Sequence, residues 1–353
     1  MSKTIRNKFD EKLTYDNLMK AHLESRKNKS CKRDIILFNL KQENYIMYLY
    51  EQLKNGTYKH GPYTTFYIHE PKLRKIQKAR YIDRIVHRWL VDNFLYPIFV
   101  PQFIYQSYAC IKNKGMHQAT LDIQKTMQHC KRIWDNYYVV KMDVRKYFNN
   151  INKNKLVEII SRKIKDEKLM KVLKEVIYST EGEKGIPIGN YTSQLLANIY
   201  LNEVDQYIKH VLKVKYYFRY MDDSVVFVKT KSEARYILKK IRKFLNDELF
   251  LELNQKTQIF KSSQGINFCG YKINEYRLKI RDKGKKKLKR KIKFLTHCIK
   301  NRKMNYKEAQ KYLTGHIGYI DIANKHNLIK NLFVADLNEF ILVDKWFKYN
   351  LNK

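Results

Sequence analysis

The spacing of apolar residues changes along the chain between helical and strand-like periods. The stretch NYIMYLYEQLKNG at 44–56 has helical spacing and ends at Gly56, which predicts an amphipathic helix with a glycine stop. A longer amphipathic segment, YIDRIVHRWLVDNFLYPIF, follows at 81–99. We expect Pro97 and Pro101 to end that helix, because proline lacks the N–H group that a helix interior needs. The chain up to about residue 60 therefore predicts a helical N-terminal extension.

The middle of the chain alternates between strand and helix patterns. NYYVVKMDV at 136–144 is typical of a buried strand. The runs YYFRY and SVVFV are separated only by Met221, Asp222 and Asp223, and they predict a β-hairpin with the carboxylates at its tip. After about residue 276 the pattern is helical and very basic. Helical spacing also occurs at 156–164, 169–180 and 193–212. The alternation predicts an α+β fold.

Composition narrows the class of partner. With 353 residues, 44% of them hydrophobic, the chain is long enough to bury a core. Its 72 Lys and Arg against 34 Asp and Glu give a net charge of +38, which favours nucleic acid as the partner. An anionic membrane is the weaker alternative, since no apolar stretch approaches the length of a membrane span. The N-terminus MSKTIRNKFD is charged where a secretory signal is apolar, so we expect a cytoplasmic protein.

The cysteines predict no metal site. They are odd in number and widely spaced, with no CxxC pair and no nearby histidine pair that would suggest zinc. We therefore expect all five to be buried or inert thiols. They are Cys31, Cys110, Cys130, Cys269 and Cys298.

Three aspartates are the strongest candidates for chemistry. An Asp pair in a turn is ordinary by itself, because turns favour Asp, so Asp222 and Asp223 alone carry little weight. Asp143, however, ends a second apolar strand, and aligned strands would bring it beside the hairpin tip. Three crowded carboxylates repel one another unless they hold cations, and oxygen ligands suit Mg²⁺. Two Mg²⁺ ions about 3.5 to 4 Å apart can activate a primer 3′ hydroxyl and stabilise a leaving pyrophosphate, which is polymerase chemistry.

At these residues the chain resembles the reverse transcriptases. YMDD at 220–223 is similar to the metal-binding motif of that family, and VVKMDVRKYF at 139–148 resembles its first catalytic motif. The resemblance covers roughly residues 63–275, and it is specific because the segments occur in the order of the family. The other matching segments are RKIQKARYIDRIVH at 74–87, SYACIKNKGMHQA at 107–119, GIPIGNYTSQLLANIYLNEVD at 185–205, LNQKT at 253–257 and INFCGYKI at 266–273.

The resemblance implies a role for each matched site residue. Asp143, Asp222 and Asp223 stand where the family has its catalytic metal ligands. Phe148, five residues after Asp143, stands at the aromatic gate that excludes a ribose 2′ hydroxyl and so favours dNTPs. The alternative for Phe148 is an ordinary core aromatic, since its neighbour Tyr147 shows how common such rings are here.

Basic residues of the same motifs are candidates for nucleotide binding. Arg74 stands where the family clamps the incoming triphosphate, and Lys72 would assist it. Guanidinium donors match phosphate oxygens and offset developing charge. Lys256 would neutralise the leaving pyrophosphate. Each has a surface cation as its alternative, because the chain holds 72 basic residues.

The nucleotide-pocket loop departs from the common pattern. Many reverse transcriptases have Gln before the Gly of this loop and Pro after the following Ser, where this chain has Ile188, Gly189, Ser193 and Gln194. An apolar Ile188 cannot offer amide hydrogen bonds, so selection by shape and lower fidelity are expected. The sequence IGNYTSQ is similar to the loop in reverse transcriptases of diversity-generating retroelements, which copy RNA with frequent errors opposite adenine. The resemblance implies that Ile188 and Arg74 matter for such errors; the alternative is that Ile188 is tolerated packing.

Fold, partners and competing functions follow from the resemblance. It implies a right-hand polymerase fold with fingers, a palm containing a mixed antiparallel sheet, and a helical thumb. We predict an N-terminal extension at 1–60, fingers and palm at 61–275 and a basic thumb at 276–353. Expected partners are an RNA template, an RNA/DNA duplex and dNTPs, with a small accessory protein and a structured RNA if the retroelement assignment holds. The alternatives are a bacterial defence enzyme of the retron or abortive-infection kind, a group II intron-like reverse transcriptase, and a non-catalytic RNA-binding protein.

Overall fold

The structure is a computed structural model that describes residues 4–69 and 73–323. The chain divides into two compact units, each built from several stretches of sequence. The first unit holds residues 1–112, 141–225 and 235–258, and the second holds 113–140, 226–234 and 259–353. The predicted division at residues 60 and 275 stays a prediction.

Short helices make up the N-terminal part of the first unit. The predicted helix at 44–56 is confirmed: it ends at Lys54, and Gly56 follows with a φ of 66°. Its buried residues Ile46, Leu49 and Leu53 recur three and four positions apart, as an amphipathic helix requires. The four helices are α1 (Phe9–Lys12), α2 (Tyr15–Arg26), α3 (Arg33–Asn39) and α4 (Gln42–Lys54).

An exposed hairpin follows these helices. Strands β1 (Thr64–Ile68) and β2 (Arg74–Lys78) pair antiparallel, with Phe66 opposite Ile76. Every residue of β1 is exposed. The hairpin therefore presents both of its faces largely to solvent, and only β2 is partly covered.

The next segment corrects the expectation that Pro97 ends a helix. The α-helix α5 (Tyr81–Leu90) continues through a π-helical turn at Val91–Leu95 into α6 (Tyr96–Phe99) and a 3₁₀ turn at Val100–Gln102. Pro97 lies in the first turn of α6, where the missing N–H group costs little. The π-helical turn has a wider hydrogen-bond spacing than the α-helix and ends just before the proline. A new α-helical turn begins after it, so helical structure continues past Pro97.

Helices and one strand fill the centre of the chain. They are α7 (Met116–Trp134), β3 (Tyr138–Asp143), α8 (Tyr147–Asn150), α9 (Lys153–Ser161), α10 (Glu167–Ile177) and α11 (Tyr191–Gln206). The predicted strand and helices are confirmed. Helix α11 is buried along most of its length and continues into a π-helical turn at Tyr207–Val211. Its burial on all sides marks it as the central helix of the first unit.

A four-stranded sheet carries the predicted hairpin. It is formed by β4 (Tyr216–Tyr220), β5 (Asp223–Val228) and β3, with β6 (Gln258–Lys261) at the other edge, in the order β4-β5-β3-β6. Helix α12 (Lys231–Leu249) lies between β5 and β6 in sequence. The middle strands β3 and β5 are rich in buried Val, as expected for strands covered on both faces.

The second unit ends in a small sheet and two helices. Strands β7 (Ile266–Phe268), β8 (Tyr271–Ile273) and β9 (Leu278–Ile280) pair antiparallel, and helices α13 (Asp282–Lys300) and α14 (Tyr306–Asp321) follow. Strand β9 was not anticipated, because the sequence pattern indicated helix from about 276. Tyr271 of β8 stacks on Tyr319 of α14 with ring centroids 4.4 Å apart. The predicted α+β class is confirmed.

Two other expectations concern thiols and membranes. Cys130 and Cys298 are buried as predicted, whereas Cys31 and Cys110 are exposed and Cys269 is half-buried. Burial thus accounts for two of the five thiols, and the expectation that the other three are inert stays a prediction. Within residues 4–69 and 73–323, no helix is long and apolar enough to cross a membrane.

Candidate active site

The turn between β4 and β5 presents the first carboxylates. Met221 adopts a left-handed conformation with a φ of 54°, and Asp222 completes the two-residue connection. Asp223 is the first residue of β5. The turn therefore places two adjacent aspartates at the end of the largely buried strands β4 and β5, as the sequence predicted.

Asp143 reaches the same place from the end of β3. Its carboxyl group lies within hydrogen-bonding reach of the carboxyl group of Asp222. Asn254 holds Asp143 from the other side: its backbone N–H donates to the Asp143 carbonyl at 2.7 Å, and its side-chain amide donates to the Asp143 carboxylate at 3.1 Å. Sequence reasoning missed Asn254, although it belongs to the LNQKT segment in which only Lys256 was singled out.

The electrostatics of Asp222 reflect this crowding. Burial raises the pKa of Asp222 to about 6, and the charges of Asp143 and Asp223 act in the same direction. A small cavity of about 20 Å³ lies behind the turn. Its wall is largely apolar and includes Met142, Val144, Leu201, Val204, Ile208, Leu245 and Leu253. A buried carboxyl group beside a like charge favours either a proton or a cation.

Asp223 has a different partner. The Nζ of Lys141 donates to Asp223 Oδ1 at 2.5 Å. Lys141 was also missed, but its position two residues before Asp143 on the same strand places both side chains on one face. In the described part of the chain, no three His, Cys, Asp or Glu side chains are already grouped closely enough to hold a metal. The structure brings Asp143 and Asp222 together and pairs Asp223 with an internal cation.

These carboxylates fit a hard divalent cation. Oxygen ligands from Asp143 and Asp222 converge in a partly buried site, where burial raises the pKa of Asp222 and the charge of Asp143 adds to that rise. Asp223 lies next in sequence and is paired with Lys141 at 2.5 Å. The donor set is therefore suitable for Mg²⁺.

The predicted nucleotide-pocket loop contacts both the gate residue and the exposed hairpin. The N–H group of Ile186 donates to the carbonyl of Phe148 at 2.9 Å, and the N–H group of Gln77 in β2 donates to the carbonyl of Ile188 at 3.1 Å. Phe148 and Ile188 are both half-buried, so part of each side chain remains accessible. The backbone thus fixes the predicted gate and Ile188 within one small region of the first unit.

Gly189 occupies a position that a side chain would not fit. Its φ of 114° is one that side-chain-bearing residues rarely adopt, and an added Cβ would lie 2.9 Å from Cγ2 of Ile76. The loop can therefore approach β2 closely only because residue 189 is glycine.

A buried lysine holds the segment that leads into this loop. Lys153 is fully buried, and its Nζ donates to the carbonyls of Thr180 at 2.5 Å, Gly182 at 2.8 Å and Glu181 at 3.5 Å. Its backbone N–H donates to the carbonyl of Glu183 at 3.0 Å. Burial lowers the pKa of Lys153. The lysine acts as an internal cation that ties successive carbonyls to the start of α9.

Of the remaining predicted site residues, Arg74 and Lys256 lie at the surface. Arg74 is exposed at the start of β2, opposite Ile68, and Lys72 falls outside the described residues. Lys256 is exposed in the turn that follows Asn254, and its backbone N–H donates to the Asn254 side chain at 3.1 Å. Asn254 in turn binds Asp143, so the Lys256 turn is tied to the carboxylate site.

Comparison with known proteins identifies relatives of this chain. Residues 59–273 match the family described as reverse transcriptase (RNA-dependent DNA polymerase). Protein YkfC of Escherichia coli (strain K12) is 27% identical over 268 residues, covering 64% of this chain and 70% of that protein. Group II intron-encoded protein LtrA of Lactococcus lactis subsp. cremoris is 25% identical over 305 residues, covering 65% of this chain and 50% of that protein.

Among solved structures, one similar chain is described as apo telomerase from Candida tropicalis truncated from the C-terminal domain. It has a TM-score of 0.45 and 13% sequence identity to this chain, and the match covers 65% of this chain and 58% of that one.

Proposed function

Because the chain belongs to the reverse transcriptase (RNA-dependent DNA polymerase) family, we propose that it copies an RNA template into cDNA by nucleotidyl transfer at Asp143, Asp222 and Asp223. The observation that carries this proposal is the contact between the Asp143 and Asp222 carboxyl groups at the hairpin tip. Family membership and the mixture of helices with antiparallel sheets agree with the predicted right-hand polymerase fold.

The side chains of the site have distinct roles in this proposal. Asp143, Asp222 and Asp223 would bind two Mg²⁺ ions. When bound, such ions activate the primer 3′ hydroxyl and stabilise the charge on the leaving pyrophosphate. Asn254 orients Asp143 through its amide hydrogen bond. Lys141 compensates the charge of Asp223 until a cation or substrate displaces it.

The nucleotide would be selected by shape and by charge. Phe148 excludes a 2′ hydroxyl, and Ile188 with Gly189 forms the apolar floor beneath the base and sugar. Arg74 and Lys72 would bind the triphosphate, and Lys256 would neutralise the departing pyrophosphate. The hydrogen bond from Gln77 to Ile188 supports this assignment, because it joins the strand that carries Arg74 to the pocket loop.

The finer assignment is to an error-prone enzyme of the kind found in diversity-generating retroelements. Its support is the loop sequence IGNYTSQ, with Ile188 in place of an amide side chain. Without amide hydrogen bonds to the nascent pair, a mismatch opposite adenine costs less binding energy. A small accessory protein and a structured RNA would complete this assembly.

A group II intron-like role is the second candidate. Its support is the 25% identity to LtrA over 305 residues, of which this chain spans half the length. The loop sequence at 188–194 counts against it, since Gln and Pro are the common residues there. The bacterial defence role stays a weaker alternative.

Primer extension tests the proposal. The wild type, Asp222→Asn and the control Asp135→Asn would be given an RNA template, a DNA primer, Mg²⁺ and four dNTPs, and the cDNA would be sequenced. We expect synthesis by the wild type and by the control, whose residue is exposed and pairs with Lys131. We expect no synthesis by Asp222→Asn. Errors concentrated opposite adenine would support the retroelement assignment, and accurate synthesis the intron-like one. Tight RNA binding with no synthesis by the wild type would instead indicate a non-catalytic protein.

A further inference from the structure

A buried arginine lies directly beneath the catalytic turn. Arg219, in β4, comes two residues before Met221 and three before Asp222, yet it is only 1% exposed. Its main carboxylate partner is Asp205 of α11, which is fully buried. An arginine buried to this extent needs an acceptor for each of its N–H groups, because an unpaired donor in the interior is costly.

The guanidinium meets that requirement completely. Nε donates to both carboxylate oxygens of Asp205 at 2.8 and 2.9 Å, and Nη2 donates to Asp205 at 2.5 Å and to the hydroxyl of Ser107 at 3.3 Å. Nη1 donates to the side-chain oxygen of Asn198 at 2.9 Å and to the carbonyl of Met221 at 3.1 Å. All five donors of the guanidinium are thus used, and one of them binds the catalytic turn.

The bonded carbonyl belongs to the strained residue of the turn. Met221 has a φ of 54°, a left-handed conformation that is unfavourable for a residue with a side chain unless its surroundings enforce it. The hydrogen bond from Arg219 to the Met221 carbonyl opposes rotation of the peptide that connects Met221 to Asp222. The direction in which Asp222 leaves the turn depends on that peptide.

Two of these acceptors make further hydrogen bonds. Tyr217 donates to Asp205 at 2.7 Å, and the Asn198 amide donates to the carbonyl of Ala109 at 2.7 Å. The backbone of Arg219 is bound by the segment before Ala109, where its N–H group donates to the carbonyl of Gln106 at 3.0 Å. The guanidinium therefore connects this buried hydrogen-bond network to the carbonyl of Met221 in the turn.

We propose that Arg219 is a positioning residue for the metal site, which holds the Met221 carbonyl so that Asp222 meets Asp143 in a geometry ready for a divalent cation. This inference rests on the proposed function, since it assumes that the carboxylates bind a metal. The ion pair with Asp205 holds the guanidinium in place. The hydrogen bond from the guanidinium to the Met221 carbonyl then fixes the peptide that leads to Asp222. A lysine keeps the charge but has one nitrogen with three donors, so it cannot reach Asp205, Asn198 and Met221 together.

The test measures cation binding directly, with Mn²⁺ as the probe and electron paramagnetic resonance of free Mn²⁺ as the readout. Arg219→Lys should weaken Mn²⁺ binding about tenfold, the usual cost of losing a group that orients a metal ligand. Adding Met221→Asn should restore part of that loss, because Asn tolerates the left-handed conformation without external support. In primer extension, Arg219→Lys should lower kcat and leave the KM for dNTP unchanged. Ser107→Ala is the matched control, since it removes an acceptor of Arg219 Nη2 and keeps the donation from Nη1 to the Met221 carbonyl.

A second variant separates a loss of metal positioning from a loss of folding. Arg219→Met combined with Asp205→Leu removes both charges at once, and replacing a buried ion pair by apolar residues often preserves stability. We expect a folded protein with a wild-type Tm but the same loss of Mn²⁺ affinity. Wild-type Mn²⁺ affinity in this folded double variant, or in Arg219→Lys, overturns the positioning role while leaving the proposed function intact. Failure of the wild type itself to bind Mn²⁺ overturns the metal site, and the positioning role with it.

Discussion

The ammonium group of Lys141 lies 2.5 Å from Oδ1 of Asp223, so the second aspartate of the turn is already neutralised by a residue of the neighbouring strand. The Lys141 side chain is 18% exposed and that of Asp223 is 32% exposed, so this pair between the two middle strands β3 and β5 is partly accessible to solvent. A cation that needs Asp223 as a ligand must compete with this lysine.

Lys141→Met should therefore tighten cation binding. We expect the Mg²⁺ concentration for half-maximal primer extension to fall about two- to fivefold, as the loss of an ion pair worth up to about 1 kcal/mol predicts. Lys141→Arg, which keeps the charge, is the control and should resemble the wild type. An unchanged half-maximal concentration in Lys141→Met would show that Lys141 does not compete with the cation, and a higher one that Lys141 supports cation binding.

Asp222→Asn should stabilise the metal-free protein at neutral pH. In the folded state the pKa of Asp222 is raised to about 6 from its ordinary value of 3.8. The stability that its protonated form contributes is fully present below pH 3.8 and is lost as the pH rises through about 6. Asparagine imitates the protonated form at every pH. In EDTA at pH 7.5 we expect a Tm increase of about 2 °C or more, shrinking towards zero near pH 4.

The control for this stability measurement is the exposed pair of Asp135 with Lys131, in which Asp135→Asn should change Tm little at either pH. A second arm adds Mg²⁺, which should raise the Tm of the wild type more than that of Asp222→Asn. A lower Tm for Asp222→Asn in EDTA at pH 7.5 would contradict the crowding of these carboxylates.

Phe148→Ala should relax the choice of sugar. If the half-buried ring fills the space of a 2′ hydroxyl, its removal should raise incorporation of ribonucleotides relative to deoxyribonucleotides about tenfold or more. Single-nucleotide extension with dCTP and CTP measures the ratio. The control is Tyr147→Phe, which changes the neighbouring buried ring by one hydroxyl that donates to the Ala197 carbonyl. Equal ratios in the wild type and Phe148→Ala would assign Phe148 to packing.

Ile188→Gln should improve fidelity opposite adenine. An amide at this position can hydrogen-bond near the sugar and the templating pair, so a mismatch would lose more binding energy than it does beside isoleucine. Sequenced cDNA from an adenine-rich template measures the error rate at each base. Ile188→Leu keeps an apolar side chain and should leave the errors as they are. An unchanged error spectrum in Ile188→Gln would mean that Ile188 only fills space.

The sequence predicted the features that depend on local pattern. The arms of the β4–β5 hairpin are apolar runs around a short polar turn, and Asp143 ends its own strand, so the approach of Asp143 to Asp222 could be foreseen. The pairing of Lys141 with Asp223 could not, because it depends on which strands are neighbours in the sheet and on the direction of each side chain.

Two other features could not be predicted from the spacing of apolar and polar residues. Pro97 indicated a helix end, but a π-helical turn at Val91–Leu95 changes the hydrogen-bonding pattern before it. Arg219 is one basic residue within an apolar strand, which usually indicates an exposed side chain. Its burial follows from Asp205, fourteen positions earlier and on another element, and neither residue alone reveals the pair.

Lys153 has a consequence for chemical labelling of this protein. The chain is covered with amines that react readily with acylating reagents, but the amine of Lys153 is fully buried against the carbonyls of residues 180–182. It can be acylated only when that segment separates from α9. The acylation rate of Lys153 therefore measures how often the polypeptide that leads into the nucleotide-pocket loop opens. A bound template and nucleotide should lower that rate.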